Sequence, residues 1–258
     1  MLNDLKELYS YRTMLVNLVK KDLRTRYKGS ILGFLWTFVN PLLQLVVYSV
    51  VFSTIMRMDV ENYPVFLFVG LVPWIFFSTS IQVSCSSMIA NKDLVKKIYF
   101  PREIIPASIA TAGLMNLLFS FIVVFIALIV TGVGISSSII YLPIVIVVIY
   151  VLTLAISILF ACLNVYFRDL EHMLGIIVMA WFYMTPIIFP VDMIPDRYLG
   201  IFFLNPMTTI ISAFKDILYY KQAPNLVLLG ITFLIGILLL IFSFKLFKIL
   251  QRNFAEEI

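Results

Sequence analysis

The chain has 258 residues, 62% of them apolar and 13% charged, and its 19 Lys and Arg outnumber 14 Asp and Glu for a net charge of +5. Soluble domains are about 45–50% apolar and about a quarter charged, so a mean hydropathy of +1.05 excludes a water-soluble fold and predicts one membrane domain without a sizeable soluble one. The basic balance is therefore read as membrane topology, not as a nucleic-acid partner, and Cys85 and Cys162, both inside apolar runs, give neither metal-ligand spacing nor an expected disulfide.

Residues 1–30 are charged and amphipathic, unlike a cleaved leader with its short apolar core. Over 11–28, Tyr11, Met14, Leu15, Leu18, Val19 and Leu23 share one side of a helix, with Lys20, Lys21, Arg24 and Lys28 opposite and Arg12 and Arg26 intruding. That pattern predicts an amphipathic helix in the membrane interface; a charge cluster that only sets orientation is the plainer alternative.

A helix needs about 20 apolar residues to cross the hydrocarbon. The charge-free stretches predict six spans, at about 34–56, 64–88, 105–131, 139–162, 173–189 and 226–244. Spans three and four share one uncharged run, divided by the turn-forming 132–138, GVGISSS. Between spans five and six, in region 190–225, Asn205-Pro206 interrupts the uncharged stretch 198–214. Proline removes a donor and turns the preceding residue away from helix. Two short re-entrant or interfacial helices on the outer face are expected there, not a seventh span. Six spans put both termini on one side, with all but four of the Lys and Arg; Arg57, Arg197, Lys215 and Lys221 fall on the other. The positive-inside rule makes the crowded side cytoplasmic.

The second loop, 91–103 (NKDLVKKIYFPRE), would form a short helix with an apolar stripe of Leu94, Val95, Ile98 and Tyr99, stopped by Pro101. Such a stripe either docks into a groove of another protein or packs onto its own chain; periodicity favours neither.

The predicted spans hold no Asp, Glu, Lys, Arg or His, which argues against ion-coupled transport. His172, the single histidine, sits at the cytoplasmic start of span five as an interfacial residue. No G-x-x-x-x-G-K-[ST] occurs, so no nucleotide site is expected here, nor any catalytic site, and energy must come from a partner subunit. The spans are instead aromatic and weakly polar. Trp36, Phe38, Gln44 and Tyr48 lie in span one, Trp74, Phe77 and Gln82 in span two, and Trp181 and Tyr183 in span five. Rings with nearby hydroxyls and amides suit sugars, and equally serve as interfacial belts and packing.

Residues 21–36 (KDLRTRYKGSILGFLW) and 40–44 (NPLLQ) resemble the N-terminal signature of type-2 ABC exporter permeases. Residues 97–106 (KIYFPREIIP) resemble that family's first cytoplasmic loop, and 164–170 (NVYFRDL), Thr185-Pro186 and 204–207 (LNPM) resemble its C-terminal half. The resemblance is nearest the group exporting O-antigen, capsular polysaccharide and teichoic acid. It implies an all-α permease in a bacterial or archaeal cytoplasmic membrane, paired with a second copy of itself. Two separate ATPase subunits, carrying ATP and Mg, would dock beneath the pair. It further implies that Leu94, Lys96, Lys97, Ile98, Tyr99, Phe100 and Arg102 form a coupling helix against the ATPase, with Arg168, Asp169 and His172 as a second contact. Asn205 and Pro206 would belong to outer helices capping the exit. A lipid-diphosphate-linked glycan would pass between the permeases along the aromatics named above. A drug or lipid exporter of the same superfamily is the near alternative, a passive channel or scaffold the distant one.

Overall fold

The computed structural model describes residues 10–27, 33–51, 60–97 and 99–257; Lys28, Ile98 and the side chain of Tyr48 lie outside the described residues. Among the described residues every regular element is helical: α1 (Arg12–Tyr27), α2 (Trp36–Ser49), α3 (Tyr63–Ala90), α4 (Lys92–Lys97), α5 (Ile104–Val130), α6 (Leu142–Tyr166), α7 (Leu170–Tyr183), α8 (Asp196–Leu204), α9 (Pro206–Leu218), α10 (Leu226–Leu250) and α11 (Phe254–Glu257).

Four stretches are long and apolar enough to cross a membrane: Tyr63–Ala90, Ile104–Val130, Ser137–Tyr166 and Leu226–Asn253; α8 and α9, bent by 103° at their junction, would make a fifth only if counted as one span. The expected spans two, three, four and six coincide with α3, α5, α6 and α10. The expected spans one and five meet shorter apolar helices, α2 and α7, of 14 residues each, or about 21 Å at 1.5 Å per residue.

Helix α3 is the centre of the bundle. It is buried on nearly every side and packs against α2, α5, α6, α7 and α9, as a helix apolar all round should. Helix α10 lies mainly along α6, and α1 rests on α5. In α1, Val19 is buried while Arg12, Lys20, Lys21 and Arg24 are exposed. Gly132 (φ 77°) and Gly134 (φ 74°) carry the turn between α5 and α6, a backbone region open to glycine.

Helices α3 and α5 touch closely at Gly113, where an added Cβ would meet Ser80 Oγ and lie 3.2 Å from the Phe76 ring. Small residues permit such backbone approach between membrane helices. Gly113→Leu is expected to force the pair apart, costing about 1–3 kcal/mol as an overpacked contact does. A lowered midpoint of thermal unfolding in detergent checks this.

Helix α7 stops at Tyr183 because Pro186 turns Thr185 out of the helix. The carbonyls thereby freed find side-chain donors from α3, from α9 and from the α8–α9 junction. Asn205 Nδ2 donates to Met184 O (3.2 Å). Lys215 Nζ donates to Pro186 O (2.6 Å) and Ile187 O (3.0 Å). Tyr63 Oη donates to Ile188 O (2.8 Å). Irregular backbone in an apolar bundle persists where protein satisfies it, and these bonds do so.

Candidate functional site

Two regions carry the polar chemistry, one at the α4 end of the bundle and one among α2, α3 and α5. At the first, Asn91 ends α3 by donating Nδ2 to Ser87 O (2.8 Å), and α4 follows directly. Lys96 and Lys97 are exposed, Lys97 pairing with Asp93 at 3.4 Å, a surface contact of small energetic weight. The expected apolar stripe divides. Val95 and Phe100 are buried and Leu94 is half-buried, in a cluster with Met88, Ile105 and Cys162. Tyr99 is instead 88% exposed.

Arg102 turns inward. Its Nη1 donates to Gln251 O (2.6 Å) and its Nη2 to Val95 O (3.5 Å), with the guanidinium 5.9 Å from the centroid of the Phe254 ring. Arg168, Asp169 and His172 are exposed, and Arg168 Nη2 donates to Glu257 O (3.1 Å). Tyr166, Phe167, Arg168, Asp169, Met173 and Glu257 line a depression of about 750 Å³.

The second region is a cavity of about 340 Å³ between α2, α3 and α5, with Trp36, Thr37, Asn40, Phe76, Thr79, Asn116 and Ser120 in its wall. It holds two carboxamides, three hydroxyls, an indole and a phenyl ring, and no lining residue is charged. Such a wall can bond hydroxyls and stack a ring face, while offering no charge to a phosphate.

The remaining expected path residues disperse. Trp74 and Phe77 are buried and pack on α7, Trp74 against Phe182 at 5.7 Å and Phe77 edge-on to Trp181 at 5.1 Å. Tyr183, Gln44 and Gln82 are exposed, and Phe38 is half-buried. Trp181 donates Nε1 to Asn205 Oδ1 (2.8 Å). Asn205 also caps α9 through Met207 N (3.0 Å) and donates to Thr185 Oγ1 (3.0 Å). It is thus the stitch that holds the bend, with Pro206 as the first residue of α9.

Sequence reasoning missed Thr37, Thr79, Asn116 and Ser120 as cavity residues. Asn116, a carboxamide in the middle of a charge-free run, was the available signal. It also left Lys215 among the outer charges; Lys215 is only 3% exposed. Among the described residues no group of three His, Cys, Asp or Glu could hold a metal ion.

Residues 13–219 match the family model described as ABC-2 type transporter. The chain is similar to the O-antigen export system permease protein RfbA of Myxococcus xanthus, with 35% identity over 260 residues and 100% of each chain covered. It is 37% identical to a Klebsiella pneumoniae protein of the same description, over 94% of both chains. The polysialic acid transport protein KpsM of Escherichia coli is 27% identical, over 76% of this chain and 77% of its own.

Proposed function

The chain belongs to the ABC-2 type transporter family, and from that premise we infer that it is the membrane permease of an ATP-driven exporter of lipid-linked polysaccharide, of the O-antigen or capsule kind. The observation that carries this is 35% identity to an O-antigen export permease over 100% of both chains. The uncharged spans and the polar, uncharged cavity between α2, α3 and α5 agree with a hydroxyl-rich cargo.

In this reading α2 and α7 serve as spans one and five, giving six crossings of the cytoplasmic membrane with both termini inside. The distribution of Lys and Arg supports that orientation, and the exposed basic residues of α1 suit the headgroup region. Two copies pair, and two ATPase subunits bind ATP and Mg beneath them. Closure of the ATPase dimer pushes on loop 91–103, chiefly at Tyr99, Lys96 and Lys97, and rigid tilting of the bundle opens a path between the copies. The bent α8–α9 pair sits at the outer end of that path.

Deleting the gene is expected to remove long-chain glycan from the cell surface while lipid-linked glycan accumulates inside. Unchanged surface glycan would sink the assignment. Trp36→Ala is expected to slow export several-fold, since a stacked ring contact is worth about 0.5–1.5 kcal/mol. Export at the wild-type rate would return Trp36 to packing.

A further inference from the structure

Helix α10 ends at Leu250, and the chain turns through Gln251–Asn253 into α11. The last carbonyls of a helix have no partner within it, and here loop 91–103 and the end of α6, far apart in sequence, supply the donors. Arg102, from loop 91–103, donates to Gln251 O (2.6 Å). Tyr166, at the end of α6, donates Oη to Leu250 O (2.7 Å). Arg168, in the following loop, reaches Glu257 O (3.1 Å).

Phe254 then fills the space between them. It is 0% exposed, edge-on to Phe247 at 5.4 Å, 6.1 Å from the Tyr166 ring and beneath the Arg102 guanidinium. The same cluster contains Val95 of α4 and Phe100 of the coupling loop. Seven residues after α10 therefore hold both segments at which the ATPase is expected to press.

We propose that segment 251–257 ties loop 91–103 and loop 167–169 into one rigid body, so that Phe254, Arg102 and Tyr166 are positioning residues for the coupling of ATP hydrolysis to transport. The proposal rests on the exporter reading above. Its physical basis is that a push transmitted by a loose loop dissipates in that loop. Loop 91–103, whose buried Val95 and Phe100 share one cluster with α6 and α10, passes displacement to those helices, because packed clusters shift as units and do not deform continuously. The exposed loop 167–169 joins the same body through the bond of Arg168 to Glu257 O. Tyr99 and the lysines face outward from this body to be pushed; Val95, Phe100 and Arg102 face inward to transmit.

The test uses the permease–ATPase complex in lipid vesicles, as wild type, Phe254→Ala, Phe254→Leu and Tyr166→Phe. Amide hydrogen exchange is followed in both loops, and glycan moved per ATP hydrolysed is measured. In Phe254→Ala, exchange should rise in 91–103 and 167–169 together. Glycan per ATP should fall about tenfold, the usual size of a coupling between sites. Phe254→Leu, which keeps an apolar filler, should restore most of both, and Tyr166→Phe should shift both in the same direction by less. Unchanged protection of either loop overturns the tie. So does a wild-type transport ratio despite loosened loops, which would leave the segment a folding brace. Should Phe254→Ala fail to insert, Tyr166→Phe, one hydroxyl smaller, decides by the same readouts. If the wild type moves no glycan, the exporter reading fails while the exchange measurement still decides whether one segment holds both loops.

Discussion

Tyr99→Ala is expected to reduce export at least tenfold while the permease remains folded and inserted. Tyr99 is 88% exposed in a loop whose neighbours Val95 and Phe100 are buried, so its removal takes nothing from the core. A large aromatic held out on a braced loop has the character of an interface anchor. Truncating such an anchor costs about 2 kcal/mol or more of binding, roughly a 30-fold loss. Two measurements check this: ATPase subunits retained by the purified permease, and export rate. Both should fall, with thermal stability of the permease unchanged. Normal export with a full complement of ATPase would remove Tyr99 from the coupling surface. Lys96 and Lys97, exposed on long flexible stems, should each give smaller and more salt-sensitive effects, as charges at the edge of an interface do.

The second large effect is expected at Lys215. Its Nζ bonds the Pro186 and Ile187 carbonyls and sits 3.5 Å from the centroid of the Phe66 ring. Lys215→Met keeps the length and apolar character of the stem and removes the donor. Two buried carbonyls then lose their bonds, each at about 1–3 kcal/mol. The cation–π contact is lost with them. The expected result is a fall in folded, detergent-stable protein, with proteolysis beginning in 184–205. Lys215→Arg should not rescue fully. An added Cβ at Gly70 would already lie 3.1 Å from Lys215 Cε, so the pocket has little room for a guanidinium. Wild-type stability of Lys215→Met would show that the carbonyls find other donors.

These two residues mark the limit of what the sequence disclosed. The positions of α3, α5, α6 and α10 followed from uncharged runs alone, and the break at Asn205-Pro206 followed from proline chemistry. Both signals are local. Helix α7 was expected to run to about 189 because hydropathy continues to Phe189, but the carbonyls that its early end frees are bonded by residues distant in sequence. No local pattern announces that Tyr63 and Lys215 will supply donors to them.

Aromatic content leaves a similar ambiguity. Trp74 and Phe77 lie on α3, which is buried on nearly every side, so composition could not tell a lining ring from a packed one. The structure gives both to contacts with α7. The loop 91–103 offered an apolar stripe with two readings, docking or packing, and the structure divides it, with Val95 and Phe100 inward and Tyr99 outward. Arg102 read as one more basic residue for a partner, whereas its bonds run to the chain's own segment after α10. Long-range pairing of this kind lives in the tertiary contacts, and one sequence does not display it.

Six spans and a cytoplasmic position for both termini can be read by reactivity of single cysteines placed at Arg57, Arg197 and Arg252. The first two should label from outside intact cells and the third only after permeabilisation. Labelling of both Arg57→Cys and Arg252→Cys in intact cells would contradict the six-span arrangement with cytoplasmic termini.

An exporter of this kind moves lipid-linked polysaccharide outward on energy supplied by a separate ATPase. The most direct test is transport in sealed, inverted vesicles containing the purified permease and its ATPase, supplied with lipid-linked glycan on the ATP side. Glycan is expected to become protected inside the vesicles only when ATP is hydrolysed, with no protection developing without the ATPase subunit. Protection without ATP, or ATP-driven uptake of small apolar compounds or lipid with glycan left outside, would contradict it.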